Sequence, residues 1–293
     1  NTGDVDVQTV AGAIGTGTHG TGKTLQNLST MLIGFRMVTS RGEIVECSIE
    51  REPDVLRAAR VGLGTLGIFT EIRLRLLPIF KLRRQEWCTR VDDCMAHLDE
   101  LVECNRNFDF YWYPRSDEIK MRTLNLPGEG MTDIPFAVCV EQAEGWSGDV
   151  LPKKRLLKFD EMEYALPAEA GQACFQEIRQ RVKAKHRKTV AWRILYRTVA
   201  PDDAYLSPAH ERDTVTISPH HNAGMPFEEY FNDIEPIFRA YGGRPHWGKK
   251  HNLTAKELQP LYPCWEQFAA MRQQFDPEGV FLNEYLRGLL EVA

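Results

Sequence analysis

The sequence predicts an α+β protein in two parts. Glycines crowd residues 9–22 and 62–67, and strand patterns separate those two stretches. Beyond about residue 80, helical and strand patterns mix without a strict strand–helix–strand order.

The first part is read as follows. Residues 9–22 carry Gly12, Gly15, Gly17, Gly20 and Gly22, which makes them too irregular for a helix or a paired strand. Residues 32–39 read as a strand, 40–43 as a turn and 44–49 as the antiparallel mate. A short helix is expected over Pro53 to Arg60, with proline in its first turn. Gly62-Leu63-Gly64-Thr65-Leu66-Gly67-Ile68 then runs into an alternating strand over 72–76, stopped by Pro78.

In the second part, Met95, Leu98, Leu101 and Val102 give residues 92–105 helical spacing, and 108–113 alternate as a strand. Residues 125–150, rich in Gly, Pro and Glu, read as a loop. Helices are expected over 171–185, 227–241 (ended by Gly242-Gly243) and 258–275 (ended by Asp276-Pro277). Residues 189–199 and 214–218 read as strands.

With 43% hydrophobic and 26% charged residues over 293 positions, the chain has the composition of a globular protein of two domains or one large one. A net charge of −5 argues against a general nucleic-acid binder. No long apolar run is present, so no spanning helix is expected, which leaves peripheral membrane association open. The seven cysteines are scattered and never spaced as CxxC; reduced thiols and a cytoplasmic location are expected, and no metal site. Asn1 stands within a few residues of a dense glycine motif, so a fragment or a processed chain is expected.

Four constellations can carry chemistry. The loop with Thr16, Thr18, His19 and Thr21 offers backbone N–H groups and hydroxyls that suit a diphosphate or the polar edge of a heterocycle; the alternative is a structural turn. The loop at Gly62–Gly67 reads alone as a tight crossover, but two such loops flanking one hairpin point to a large ligand lying across both. Arg244-Pro245-His246-Trp247-Gly248-Lys249-Lys250-His251 is either a solvated charge run or a stiff turn aiming cations at a pocket. Arg197 is either a solvent-facing strand residue or a clamp on a substrate oxygen. His220 and His221 are adjacent, so in a strand only one of them points into a given site.

In order along the chain, several segments resemble the FAD-dependent aldonolactone oxidases, meaning D-arabinono-1,4-lactone and L-gulono-1,4-lactone oxidases with their alditol oxidase relatives. They are Thr9 to Gly20, Gly62 to Ile68, Phe159-Asp160-Glu161-Met162-Glu163-Tyr164-Ala165-Leu166-Pro167, Asp202 to Pro208, Gly243 to Lys249, and Asp276 to Asn283. The resemblance covers nearly the whole chain. It implies a vanillyl-alcohol-oxidase, PCMH-type fold. Residues 1–80 would be the second part of the FAD-binding domain, its first part missing, and 81–293 the substrate, or cap, domain.

By position, the resemblance makes Ala11, Gly12, Ile14, Thr16, Gly17, Thr18, His19, Gly67 and Ile68 FAD contacts. Thr9, Arg197 and Lys249 become substrate contacts, and Arg197, Lys249 and His220 the catalytic group. The implied reaction oxidises a CH–OH group of a sugar-1,4-lactone by hydride transfer to flavin N5. Arg197 would hold the substrate oxygen, His220 accept the hydroxyl proton, and Lys249 favour the anionic reduced flavin. Oxygen is the expected acceptor, giving hydrogen peroxide. The alternatives are an alditol oxidase, a lactone dehydrogenase with another acceptor, and a non-catalytic flavin-binding paralogue. One departure stands out: the family has a Glu two residues before that arginine, and this chain has Leu195.

Overall fold

The computed structural model describes residues 1–151 and 157–291. The first part contains helix α1 (Val10–Gly15), strands β1 (Leu32–Val38) and β2 (Ile44–Ser48), helix α2 (Pro53–Arg60) and strand β3 (Ile68–Leu74). The three strands form an antiparallel sheet in the order β2-β1-β3. The hairpin and α2 stand where the sequence puts them.

Helix α1 corrects one expectation. The Thr9 hydroxyl accepts a hydrogen bond from Gly12 N at 3.2 Å, and this cap lets Val-Ala-Gly-Ala-Ile complete a helical turn and a half. Gly17, at φ +72°, then takes the chain out of the helix.

The second part begins with β4 (Lys81–Arg90), helices α3 (Val91–Ala96) and α4 (Leu98–Cys104), β5 (Asn107–Tyr113), β6 (Glu118–Asn125) and β7 (Val138–Trp146). After α5 (Ser147–Val150) come β8 (Phe159–Glu161), β9 (Tyr164–Pro167), α6 (Ala168–Arg181), β10 (Ile194–Val199) and β11 (Thr214–Asn222). It ends with α7 (Glu228–Ala240), β12 (Arg244–Pro245), α8 (Ala255–Leu258), α9 (Trp265–Phe275) and α10 (Glu284–Leu290). The strands form one large sheet in the order β12-β9-β11-β10-β5-β6-β4-β7, with β8 paired to β11.

Two further expectations give way here. Residues 125–150 are not all loop: β7 pairs with β4 along its length as an edge strand. Its residues are mostly exposed, so ladder hydrogen bonds hold it, and no apolar alternation announces it. The helix expected over 258–275 is broken into α8, a 3₁₀ turn and α9, because Pro260 and Pro263 each lack an N–H.

The core lies between the large sheet and helices α6 and α7. Phe110 stacks on Tyr196 with ring centroids 4.8 Å apart, and Phe175 of α6 meets Phe110 edge-on at 5.1 Å. Gly171 lets α6 approach, since a Cβ there would lie 2.8 Å from Val215. Tyr196, Val215 and Ile217 thus face the helices. Strand alternation turns Leu195, Arg197, Ser218 and His220 to the other face, where Leu195 stands opposite Ser218.

Candidate active site

That other face of the sheet meets the glycine loops. Leu63 N donates to Gly15 O at 3.0 Å, so the two glycine-rich loops are in direct contact. Ser29 Oγ donates to Ile14 O at 2.6 Å and fixes α1 on the hairpin. The outer side of this assembly is open: Val10, Ala11 and Gly12 are exposed, and a Cβ at Gly64 would meet nothing within 4 Å. Ile68, at the start of β3, is 61% exposed.

A cavity of about 230 Å³ lies between the loops and the sheet. Thr16, Thr18 and His19 line it from the loop side, and Gly3, Asp4 and Gln8 form part of its rim. Arg122 holds that rim by donating to Asp4 at 3.0 Å and to the buried Asp109 at 2.6 Å. From the sheet side come Leu195, Arg197, His220, Glu161 and Glu163, and from the turn after β12 come His246, Gly248 and Lys249.

Glu163 is the centre of one network. Its Oε1 lies 2.6 Å from His19 Nε2, and its Oε2 accepts from Arg197 at 2.7 Å and from Ser218 Oγ at 2.8 Å. Burial alone would raise the pKa of this carboxyl, but the Arg197 guanidinium and then His19 outweigh it and hold the group well below the usual range. His19 Nδ1 lies 2.8 Å from Gly20 O, so both ring nitrogens face acceptors. Arg197 also donates to His19 O at 3.2 Å, which ties the glycine loop to the sheet.

Glu161, two residues earlier, is the centre of a second. Its Oε2 accepts from Lys249 Nζ, and its Oε1 lies 3.3 Å from His220 Nε2. Burial again works against its ionisation, and Lys249 followed by His220 reverses the balance and lowers its pKa. His220 Nδ1 faces Arg193 O at 3.1 Å. Beside both networks, Gly248 N donates to His246 Nδ1 at 3.0 Å, which leaves the proton of the neutral ring on Nε2. Burial pushes the His246 pKa down to about 3.

The D-arabinono-1,4-lactone oxidase family model matches residues 72–135 and 130–289, and an FAD binding domain model matches residues 1–48. The chain is 36% identical to L-gulono-1,4-lactone dehydrogenase of Mycobacterium tuberculosis, over 99% of this chain and 76% of the relative. The chain belongs to the D-arabinono-1,4-lactone oxidase family. It is 28% identical to mouse L-gulonolactone oxidase, over 98% of this chain and 74% of that protein. It is also 28% identical to a Streptomyces alditol oxidase, over 96% of this chain and 73% of that one. Cholesterol oxidase from B. sterolicum shares the fold, with a TM-score of 0.82 at 15% identity over 98% of this chain and 76% of that one.

As a member of the lactone oxidase family, the chain is an FAD-dependent oxidoreductase acting on CH–OH donors. The open glycine face fits that cofactor: Gly64 leaves room for a planar group, and Thr16 and Thr18 line the cavity.

Of the residues expected from sequence, Thr16, Thr18, His19, Arg197, His220 and Lys249 all line the cavity. Ala11 and Gly12 are exposed and do not line it, and Ile68 is exposed at the start of β3. Ile14 is fully buried, its carbonyl already accepting from Ser29 Oγ, so it offers no free surface there. Gly17 is the buried turn below, and Gly67 packs on Val38 O, which a Cβ would approach to 2.7 Å. Thr9 does not line the cavity, and its hydroxyl is committed to capping α1. His221 points away from it, with its ring 6.2 Å from that of Tyr230.

Sequence reading assigned no role to Glu161, Glu163, Ser218 or His246. A signal existed for the first two: acidic residues at i and i+2 either side of the buried Met162, leading into the buried run Tyr164-Ala165-Leu166, put two carboxylates where the chain passes through the interior from β8 to β9.

Proposed function

We propose that this protein oxidises a CH–OH group of a sugar-1,4-lactone, of the D-arabinono-1,4-lactone type, at the carbon next to the lactone carbonyl. The observation that carries the reading is the convergence of Arg197, Lys249, Glu161 and His220 on one cavity of sugar size, beside the open glycine face. Residues 1–80 would serve the cofactor and 81–293 the substrate. FAD, when bound, supplies the acceptor for the hydride leaving that carbon.

The chain's own residues orient the substrate and receive its proton. Arg197, fixed by Glu163 and by His19 O, has its guanidinium oriented before substrate arrives and can donate to the lactone oxygen. His220 stands with Nδ1 3.1 Å from Arg193 O and Nε2 3.3 Å from Glu161 Oε1, so His220 and Glu161 act as one pair that can receive the proton of the substrate hydroxyl. The carboxylate of Glu161, in contact with the ring, stabilises the positive charge of a protonated His220. Lys249 keeps Glu161 ionised for this purpose. His246 offers a fixed neutral Nε2–H donor alongside.

The relatives named as oxidases support oxygen as the final acceptor, which would give hydrogen peroxide. The relative named as a dehydrogenase supports a second reading, in which another acceptor takes the electrons.

The test is anaerobic mixing of the intact, flavin-loaded protein with aldono-1,4-lactones. Bleaching of the flavin absorbance is expected, and no bleaching with any lactone would overturn the reading. Oxygen uptake compared with reduction of an artificial dye then separates the two acceptors.

A further inference from the structure

We infer that Glu161 and Lys249 together read a vicinal diol, so that Glu161 determines specificity by accepting the hydroxyl next to the one being oxidised. This deepens the proposed function and rests on it.

Every sugar hydroxyl is at once a donor and an acceptor, so a site that reads one fully must offer both kinds of partner. The cavity wall carries two carboxylates, but they are differently engaged. Glu163 is shut in, its side chain having 0% exposure, and three donors from His19, Arg197 and Ser218 surround its two oxygens. Its place is to hold Arg197 and His19. Glu161 has one neighbour on each oxygen, Lys249 and His220, and retains 8% side-chain exposure toward the cavity. Each carboxylate oxygen has two lone pairs, so Glu161 can accept a further hydrogen bond.

Lys249 beside it is 29% exposed and has donors to spare once one proton is committed to Glu161. A diol fits this carboxylate–ammonium pair: one hydroxyl donates to Glu161, and the hydroxyl on the next carbon accepts from Lys249. Leu195, which lines the same wall next to Arg197, offers neither donor nor acceptor. Polar recognition is therefore displaced from β10 to the Glu161 side of the cavity. His220 touches the same carboxylate, so the hydroxyl received by Glu161 is the neighbour of the one whose proton His220 takes. For oxidation at C2 of a lactone, that neighbour is the C3 hydroxyl.

The experiment is a cycle between residue and substrate on the intact holoenzyme, using an aldono-1,4-lactone, its 3-deoxy analogue, wild-type protein and Glu161→Gln. A hydrogen bond to a charged group corresponds to roughly a 10–100-fold effect. Wild type is expected to lose about that factor in kcat/KM, mostly through KM, when the C3 hydroxyl is removed. Glu161→Gln is expected to lose a similar factor on the parent lactone, and to discriminate between the two lactones by less than about threefold, since the shared hydrogen bond is already gone. A merely structural role for Glu161 would slow both substrates equally. Glu161→Asp, which keeps the charge but retracts it, should fall between.

Equal discrimination by wild type and Glu161→Gln overturns the inference and leaves the proposed function standing. Should Glu161→Gln fail to fold, the wild-type comparison still decides: a 3-deoxy lactone oxidised as well as its parent rules the diol out. If no lactone reduces the flavin, both readings fall.

Discussion

The glycine loops and the sheet wall enclose the same cavity by opposite means. On the loop side, backbone geometry does the work: Gly17 supplies a left-handed turn, Gly64 leaves space, and only Thr16, Thr18 and His19 bring side chains. On the sheet side the backbone is ordinary, and function lies in side chains buried as ions. Glu163 and Glu161 are each held charged by one cation and one histidine. A surface made of backbone tolerates side-chain change outside its special glycines. A wall made of buried ions does not, because removing one partner strands the other.

The largest effect should come from breaking the wall. Arg197→Met leaves Glu163 buried without its cation and should cost about 3–5 kcal/mol, read by chemical denaturation, along with turnover. Adding Glu163→Gln should recover a good part of that stability, though not the activity. A cost below about 1 kcal/mol for Arg197→Met would mean that the wall is not held by its ions.

Acid should erode the wall in two steps. His246, pushed from 6.5 to about 3 by burial, binds a proton when unfolded but not when folded between those values. The stability it contributes is therefore complete above about pH 6.5 and is lost as pH falls toward 3. Glu161 and Glu163, lowered from 4.5, contribute stability that is present above that pH and lost as pH falls through their lower folded values. His246→Gln should thus flatten the decline of melting temperature between pH 6.5 and 4.5 and leave the steeper fall below it. An unchanged upper slope would remove His246 from the account.

On the loop side the effects should be smaller. Gly17→Ala forces a side chain into φ +72° and should cost about 1–2 kcal/mol, with faster loss of flavin on dialysis. Smallest is Thr9→Val, which removes the cap of α1 at a cost of about 1 kcal/mol. Because Thr9 is occupied as a cap, KM for the lactone should not move. A several-fold rise in KM would return Thr9 to the substrate site.

The same contrast explains what could be read in advance. The hairpin at β1 and β2, helix α2 and the two glycine loops were legible, because local alternation, Pro53 and dense glycine are properties of neighbouring residues. The edge strand β7 was not, because its pairing with β4 is a ladder of backbone bonds that needs no apolar pattern. Helix α1 was hidden by its glycines, and the cap at Thr9 was the only local sign of it.

By itself the sequence determined an α+β chain of the lactone oxidase kind that uses FAD, its two glycine-rich stretches, and Arg197, His220 and Lys249, which line one cavity. Only the tertiary structure decided that Glu161 and Glu163 are their partners. Glu163 lies 34 positions from Arg197, Glu161 lies 88 from Lys249, and 144 positions separate His19 from Glu163. Sheet register brings them together: pairing of β8 with β11 sets Glu161 opposite His220, and pairing of β10 with β11 sets Leu195 opposite Ser218. Register is fixed by burial of the helix-facing side, through Tyr196, Val215 and Ile217, and not by the charged residues themselves.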